Sequence, residues 1–210
     1  DVSAITDFSY LFREFEDSAN FFDSDISGWD VSSGTDFSGM FRGATAFNQD
    51  IGSWNVSAGN DFSGMFRDTT AFNQDLTNWD VSSSNNFSSM FDSNTSFNGD
   101  VSGWDVSAGL DFSYMFYDNS SLDQDLSSWD MGSATDTLGM FFGATAMLAN
   151  QGVSISPSNN DSYFSYDFDT RDQLDTAIAA WRADEVSATT TYGNINDWDV
   201  SAIADFSYLF

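Results

Sequence analysis

The stretch Trp54-Asn55-Val56-Ser57, followed by Asp61-Phe62, Met65-Phe66, Phe72 and Asp75-Leu76, decides how this chain is read, because its pattern recurs along most of the molecule. Trp29, Trp54, Trp79, Trp104 and Trp129 stand 25 residues apart without a slip. A fixed period of that length predicts stacked coils, each burying its apolar face against its neighbours. Trp29 and Val31 alternate around Asp30, the period-two pattern of a short strand. Asp36 then precedes Phe37, Met40 and Phe41, apolar at i, i+3 and i+4, as on one face of a helix capped by Asp36. The expectation is an α/β solenoid of 25-residue coils, each a short parallel strand plus a short helix.

Outward from that core the period first stretches and then fails. Residues 13–21 lengthen the first coil, and Thr137, Gly132 and Met147 replace ladder residues in a degenerate last one. Three segments follow: residues 1–149 as the repeat array, residues 150–169 as a polar linker holding the single proline, and residues 170–210. In the third, Thr170 to Gln173 has capping-box spacing, and Leu174, Ala177, Ile178 and Trp181 mark an amphipathic helix. That helix is expected to be the N-terminal cap of a following unit, whose first repeat opens at Trp198. Residues 199–210 repeat residues 1–12 at eleven of twelve positions, an offset of 198 residues. The expected organisation is one period of a longer tandem array, with copies joined head to tail in one chain or between chains.

Composition narrows the chemistry. The formal charge is −28, with 33 acidic groups against five arginines and no lysine. Such a field repels nucleic acid and anionic membranes and favours cations. The 22 Phe, 7 Trp and 7 Tyr argue for a packed core rather than disorder. With no histidine and no cysteine, imidazole bases, thiolate nucleophiles and disulfides are excluded. No apolar run reaches the length of a membrane span. Every Asp belongs to a repeated row, whereas an active site breaks a repeat locally, so no enzymatic activity is expected.

The unit Phe47-Asn48-Gln49-Asp50-Ile51-Gly52-Ser53-Trp54-Asn55-Val56-Ser57, with Asp61-Phe62-Ser63-Gly64-Met65-Phe66, resembles the repeat of the BspA-type leucine-rich-repeat surface proteins. The stretch from Leu174 to Ser201 looks like the helical segment that opens many such arrays. The resemblance implies a leucine-rich-repeat-like stack in a secreted or cell-surface protein used in adhesion, matrix binding or surface coating. It implies no catalysis. A structural, adhesive protein of a filament or stalk is the expected function, extracellular or on the cell surface. The alternative is an adhesion module that binds a glycan or a host surface protein.

Three sets of residues are candidate sites. Asp50, Asp75, Asp100 and Asp125, with Asp25, hold one repeat position, either as turn aspartates or as a row of carboxylates for Ca2+. Calcium is the only cofactor the sequence suggests. Asn94, Asn119, Asn55, Asn86 and Asn160 each head an Asn-x-Ser/Thr sequon, and a post-helix loop is expected to expose Asn94 and Asn119. The ladder Trp29, Trp54, Trp79, Trp104 and Trp129 is expected to be core rather than a sugar-stacking platform.

Overall fold

Turns, not strands and helices, carry the repeat. In the computed structural model, which describes residues 1–13, 22–150 and 171–183, each coil makes a single parallel bridge to the next, at Asp7–Asp36, Asp36–Asp61, Asp61–Asn86, Asn86–Asp111 and Asp111–Asp136. The chain forms two compact units, Asp1–Met147 and Leu148–Phe210. Among the described residues there are two helices: α1, Thr145–Asn150, of six residues, and α2, Arg171–Ala183, of thirteen.

The α/β solenoid of strand-plus-helix, leucine-rich-repeat-like coils is therefore not what folds, and the reason lies in two backbone positions per coil. Three residues after the bridging Asp or Asn stand Tyr10, Gly39, Gly64, Ser89, Tyr114 and Gly139, all with φ between 54° and 68°. Four residues further on, Gly43, Asp68, Ser93, Asp118 and Gly143 are again left-handed. A left-handed residue ends a right-handed helix, so the i, i+3, i+4 apolar spacing is met by consecutive tight turns. In the second coil Met40, Arg42 and Ala44 donate backbone N–H bonds to Phe37, Gly39 and Phe41, three residues back, at 3.2, 3.0 and 2.9 Å.

The intervening N–H groups point along the stack. Phe37, Gly39, Phe41 and Gly43 donate to the carbonyls of Asp61, Ser63, Met65 and Arg67 in the next coil, at 2.7–2.9 Å. Each later coil repeats the arrangement, with Phe62 to Asn86 and Phe87 to Asp111 as examples. Backbone polar groups must be paired when buried, and here alternate residues share the duty between the coil and its neighbour. The predicted strand is replaced by a different device. Trp54 makes a turn bond to Ile51 at 3.0 Å, and its indole Nε1 donates to the Ile26 carbonyl of the preceding coil at 3.2 Å. Trp79, Trp104 and Trp129 do the same to Ile51, Leu76 and Val101. The burial alternation was legible, with Trp54 and Val56 inside and Asn55 outside, but a side chain does the bridging.

The core of the first unit is a set of aromatic columns. Phe8, Phe37, Phe62, Phe87 and Phe112 stack at 5.1–6.2 Å between ring centroids. Phe41, Phe66, Phe91, Phe116 and Phe141 form a second column at 5.4–5.7 Å. Within a coil, Phe41 meets Phe47 at 4.0 Å and Phe91 meets Phe97 at 3.9 Å. Each buried side chain of this size contributes roughly 1.5–3 kcal/mol, and stacked pairs about 0.5–1.5 kcal/mol more. In the second unit, Leu174, Ala177 and Ile178 of α2 are buried while Thr176 and Ala179 are exposed, the pattern of an amphipathic helix. The lengthened segment at residues 14–21, the linker around Pro157 and the repeat opening at Trp198 lie outside the described residues.

Candidate functional site

Aspartate is abundant because each coil is pinned by three side-chain-capped turns. Asp30 Oδ1 accepts the N–H of Ser32 at 3.1 Å and its hydroxyl at 2.6 Å. Asp36 accepts the N–H of Ser38 at 2.9 Å. At the third position Asp25, Asp50, Asp75, Asp100 and Asp125 accept the N–H of Ser27, Gly52, Thr77, Ser102 and Ser127 at 2.9–3.0 Å. Four of those five also take the hydroxyl of the same Ser or Thr. The Ser27, Thr77 and Ser127 hydroxyls and then their amides hold Asp25, Asp75 and Asp125 below the usual carboxylate range. A row for calcium needs several carboxylates turned toward one point. Here each is turned onto its own coil, and among the described residues no three acidic groups converge on a cation position. Asp50, Asp75, Asp100 and Asp125 thus serve as turn caps in the described coils.

The sequons divide by burial. Asn94 and Asn119 are fully buried, contrary to the expected exposed loop, and their side-chain oxygens accept the N–H of Phe97 and Leu122 at 3.2 Å. Burial closes both to a glycan in the folded chain. Asn55 is exposed, with Oδ1 on Ser57. Asn86 is half-buried and donates to Asp61 Oδ2 at 3.2 Å. Asn160 lies outside the described residues.

A ladder not expected from the sequence runs beside the turn aspartates. Oδ1 of Asp23, Asn48, Asn73 and Asn98 accepts the N–H of the residue one coil later, at 2.8–3.0 Å. Gln49, Gln74 and Gln124 reach back to the same oxygens and to the adjoining carbonyls. The Asn-Gln-Asp run in successive coils was the available signal, since an amide can both donate and accept.

The cations are distributed unlike the acids. Arg13, Arg42 and Arg67, the three arginines of the first unit, all stand six residues after the bridging Asp, in consecutive coils. Asp92, Tyr117 and Phe142 continue the same column. Arg13 lies over the Tyr10 ring, 5.3 Å from its centroid. Arg67 Nε is 3.2 Å from Asp92 Oδ2 and 3.6 Å from Asp68 Oδ2, without hydrogen-bond alignment to either. Arg42 has no ion-pair partner among the described residues. Arg42 and Arg67 line an open groove of about 150 Å3, with Tyr10, Gly39, Ser63 and Gly64.

The groove exists because side chains are missing from its floor. Tyr10 leans over Gly39, where a Cβ would stand 2.4 Å from the ring, and Tyr114 leans over Gly139 in the same way at 2.8 Å. At Gly64 a Cβ would meet only the Cβ of Arg67, at 3.9 Å. Left-handed backbone does not force glycine there, since Tyr10, Ser89 and Tyr114 adopt the same φ at this repeat position.

No curated protein and no solved structure matches the chain. Among the described residues no helix is long and apolar enough to cross a membrane. One family model, described as a Mycoplasma protein of unknown function, DUF285, matches twice, over residues 1–94 and 76–181. The two matches together cover most of the repeats and α2, so the chain belongs to the DUF285 family.

Proposed function

We propose that the protein is a structural and adhesive surface protein of the BspA type, working outside the cell as one period of a tandem array that builds a filament or stalk. The observation that supports it is the polarity of the coil stack. In the five coils that begin at Asp7, Asp36, Asp61, Asn86 and Asp111 the turn segment donates N–H bonds to the following coil, and the indoles of Trp54, Trp79, Trp104 and Trp129 donate to the preceding one. A stack of that kind is extended only by adding units head to tail, and each added coil buries further aromatic surface. The 198-residue recurrence supplies a second copy of the opening repeat sequence on the same chain. The acidic exterior, at −28 per 210 residues, opposes side-to-side clumping.

Two measurements test it. Electron micrographs of the native protein should show rods that lengthen by a constant increment, and a non-permeant protease should cut the protein on intact cells. Isolated globular particles from native material would overturn the array, and full protection on intact cells would overturn the surface location.

A further inference from the structure

We propose that the groove between Tyr10 and Arg67 is a binding site for a saccharide carrying a carboxylate or sulfate group, with Arg42 as the residue that holds the acid. This site does not depend on the array: a unit that never assembled would still carry it.

Charge placement comes first. In a chain of 33 acids and five arginines, a guanidinium has carboxylates available almost everywhere. Arg67 takes two of them, Asp68 and Asp92, whereas Arg42, one coil earlier at the same repeat position, takes none among the described residues. Guanidinium presents a planar fork that matches a carboxylate or sulfate edge with two parallel bonds. An unpaired Arg42 beside an open groove has the donor set for that group.

Shape and lining point to a sugar rather than a bare oxyanion. At about 150 Å3 the groove is roomier than a simple anion needs. Ser63 adds a hydroxyl that can donate and accept, and Ser88, whose hydroxyl donates to Asn86 Oδ1 at 2.8 Å, adds an acceptor oxygen. Tyr10 closes one end, its ring held against Gly39 and under the Arg13 guanidinium. The coils that close this column elsewhere do so with Tyr114 packed over Gly139. At Gly39 and Gly64 two successive coils omit the side chain, and the space left above Gly64 is filled by no other residue. The −28 field selects against dense polyanions such as nucleic acid and leaves a sparsely charged saccharide as the better match.

The experiment is calorimetric titration of the full chain with a tetrasaccharide carrying a single uronate, a tetrasaccharide carrying a single sulfate, cellotetraose and a short single-stranded DNA. At least one acidic tetrasaccharide should bind, and cellotetraose and the DNA should not. Binding of the uronate probe alone identifies a carboxylate ligand, and of the sulfated probe alone a sulfate. Arg42→Gln should weaken binding about tenfold or more, the loss of one charge-assisted pair. A second variant, Gly64→Tyr with Ser89→Gly, rebuilds the Tyr-over-Gly pair seen at Tyr10–Gly39 and Tyr114–Gly139, and should abolish binding while the protein melts as wild type. The proposal is overturned if neither acidic sugar binds, if cellotetraose or the DNA binds as well, or if binding survives either variant.

Discussion

Asp92 stands 5% exposed at the repeat position that holds Arg67 one coil earlier, and its environment pulls in two directions. Burial raises its pKa above the usual 3.8, while the Ser93 hydroxyl and Arg67 lower it and Asp68 and Asp118 raise it further. A raised carboxyl makes a contribution that is present below the unfolded pKa and lost as pH rises through the folded one. The turn aspartates behave oppositely. Asp25, Asp30, Asp75, Asp80, Asp105 and Asp125 are held low by Ser or Thr hydroxyls and amides, so their contribution is present above about pH 4 and lost as pH falls below it. Urea midpoints should therefore rise slightly as pH falls from 7 toward the carboxylate range, then drop steeply below it. Asp92→Asn should remove the initial rise and leave the protein at least as stable as wild type at pH 7, because Arg67 keeps Asp68 as a partner. A variant that is several kcal/mol less stable at pH 7 would mean that the Arg67 pair outweighs the burial of Asp92.

At the scale of the coil, the two left-handed positions replace the expected helix by turns, and they make unequal demands. Gly139 has φ 68° and its absent Cβ is what admits the Tyr114 ring, so Gly139→Ala meets both backbone strain and a 2.8 Å contact. Gly64 has φ 58° and open space, so Gly64→Ala meets strain alone. Thermal melts should show Gly64→Ala lowering stability by about 1 kcal/mol and Gly139→Ala by about 2 kcal/mol or more. Equal losses would mean that the Tyr114 ring moves aside freely. These positions also explain what the sequence did and did not disclose. The columns of Phe37, Phe41 and Trp54 were legible from spacing alone, because burial periodicity survives any backbone that turns every three or four residues. The backbone type was not, because Ser89 and Tyr114 carry side chains at left-handed positions where only glycine would have signalled a break. The groove was half legible: Arg42 and Arg67 are one period apart, but their meaning depended on Tyr10 leaning away over Gly39.

Over the whole first unit, stability is expected to be a sum over neighbouring coils, and two changes separate local from global effects. Phe91 touches Phe66, Phe97 and Phe116 at 5.4, 3.9 and 5.5 Å, so it belongs to three coils' packing at once. Phe91→Ala should remove about 3–5 kcal/mol, a large share of the 5–15 kcal/mol that holds a typical domain. Excising a full period should do far less harm. Deleting residues 61–85 joins Asn60 to Asn86, which supplies the same bridging position and the same Ser88 turn that Asp61 and Ser63 supplied. Every column then closes one step shorter, with Phe37 against Phe87, Phe41 against Phe91 and Trp104 donating to Ile51. Deleting 24 residues instead shifts each downstream side chain off its column and turns the apolar set away from the interior. Near-UV circular dichroism and urea unfolding of the two deletions should give a cooperative, native-like transition for the first and none for the second. Similar transitions in both would show that the columns tolerate slippage, and loss of folding in both would show that the coils are not interchangeable.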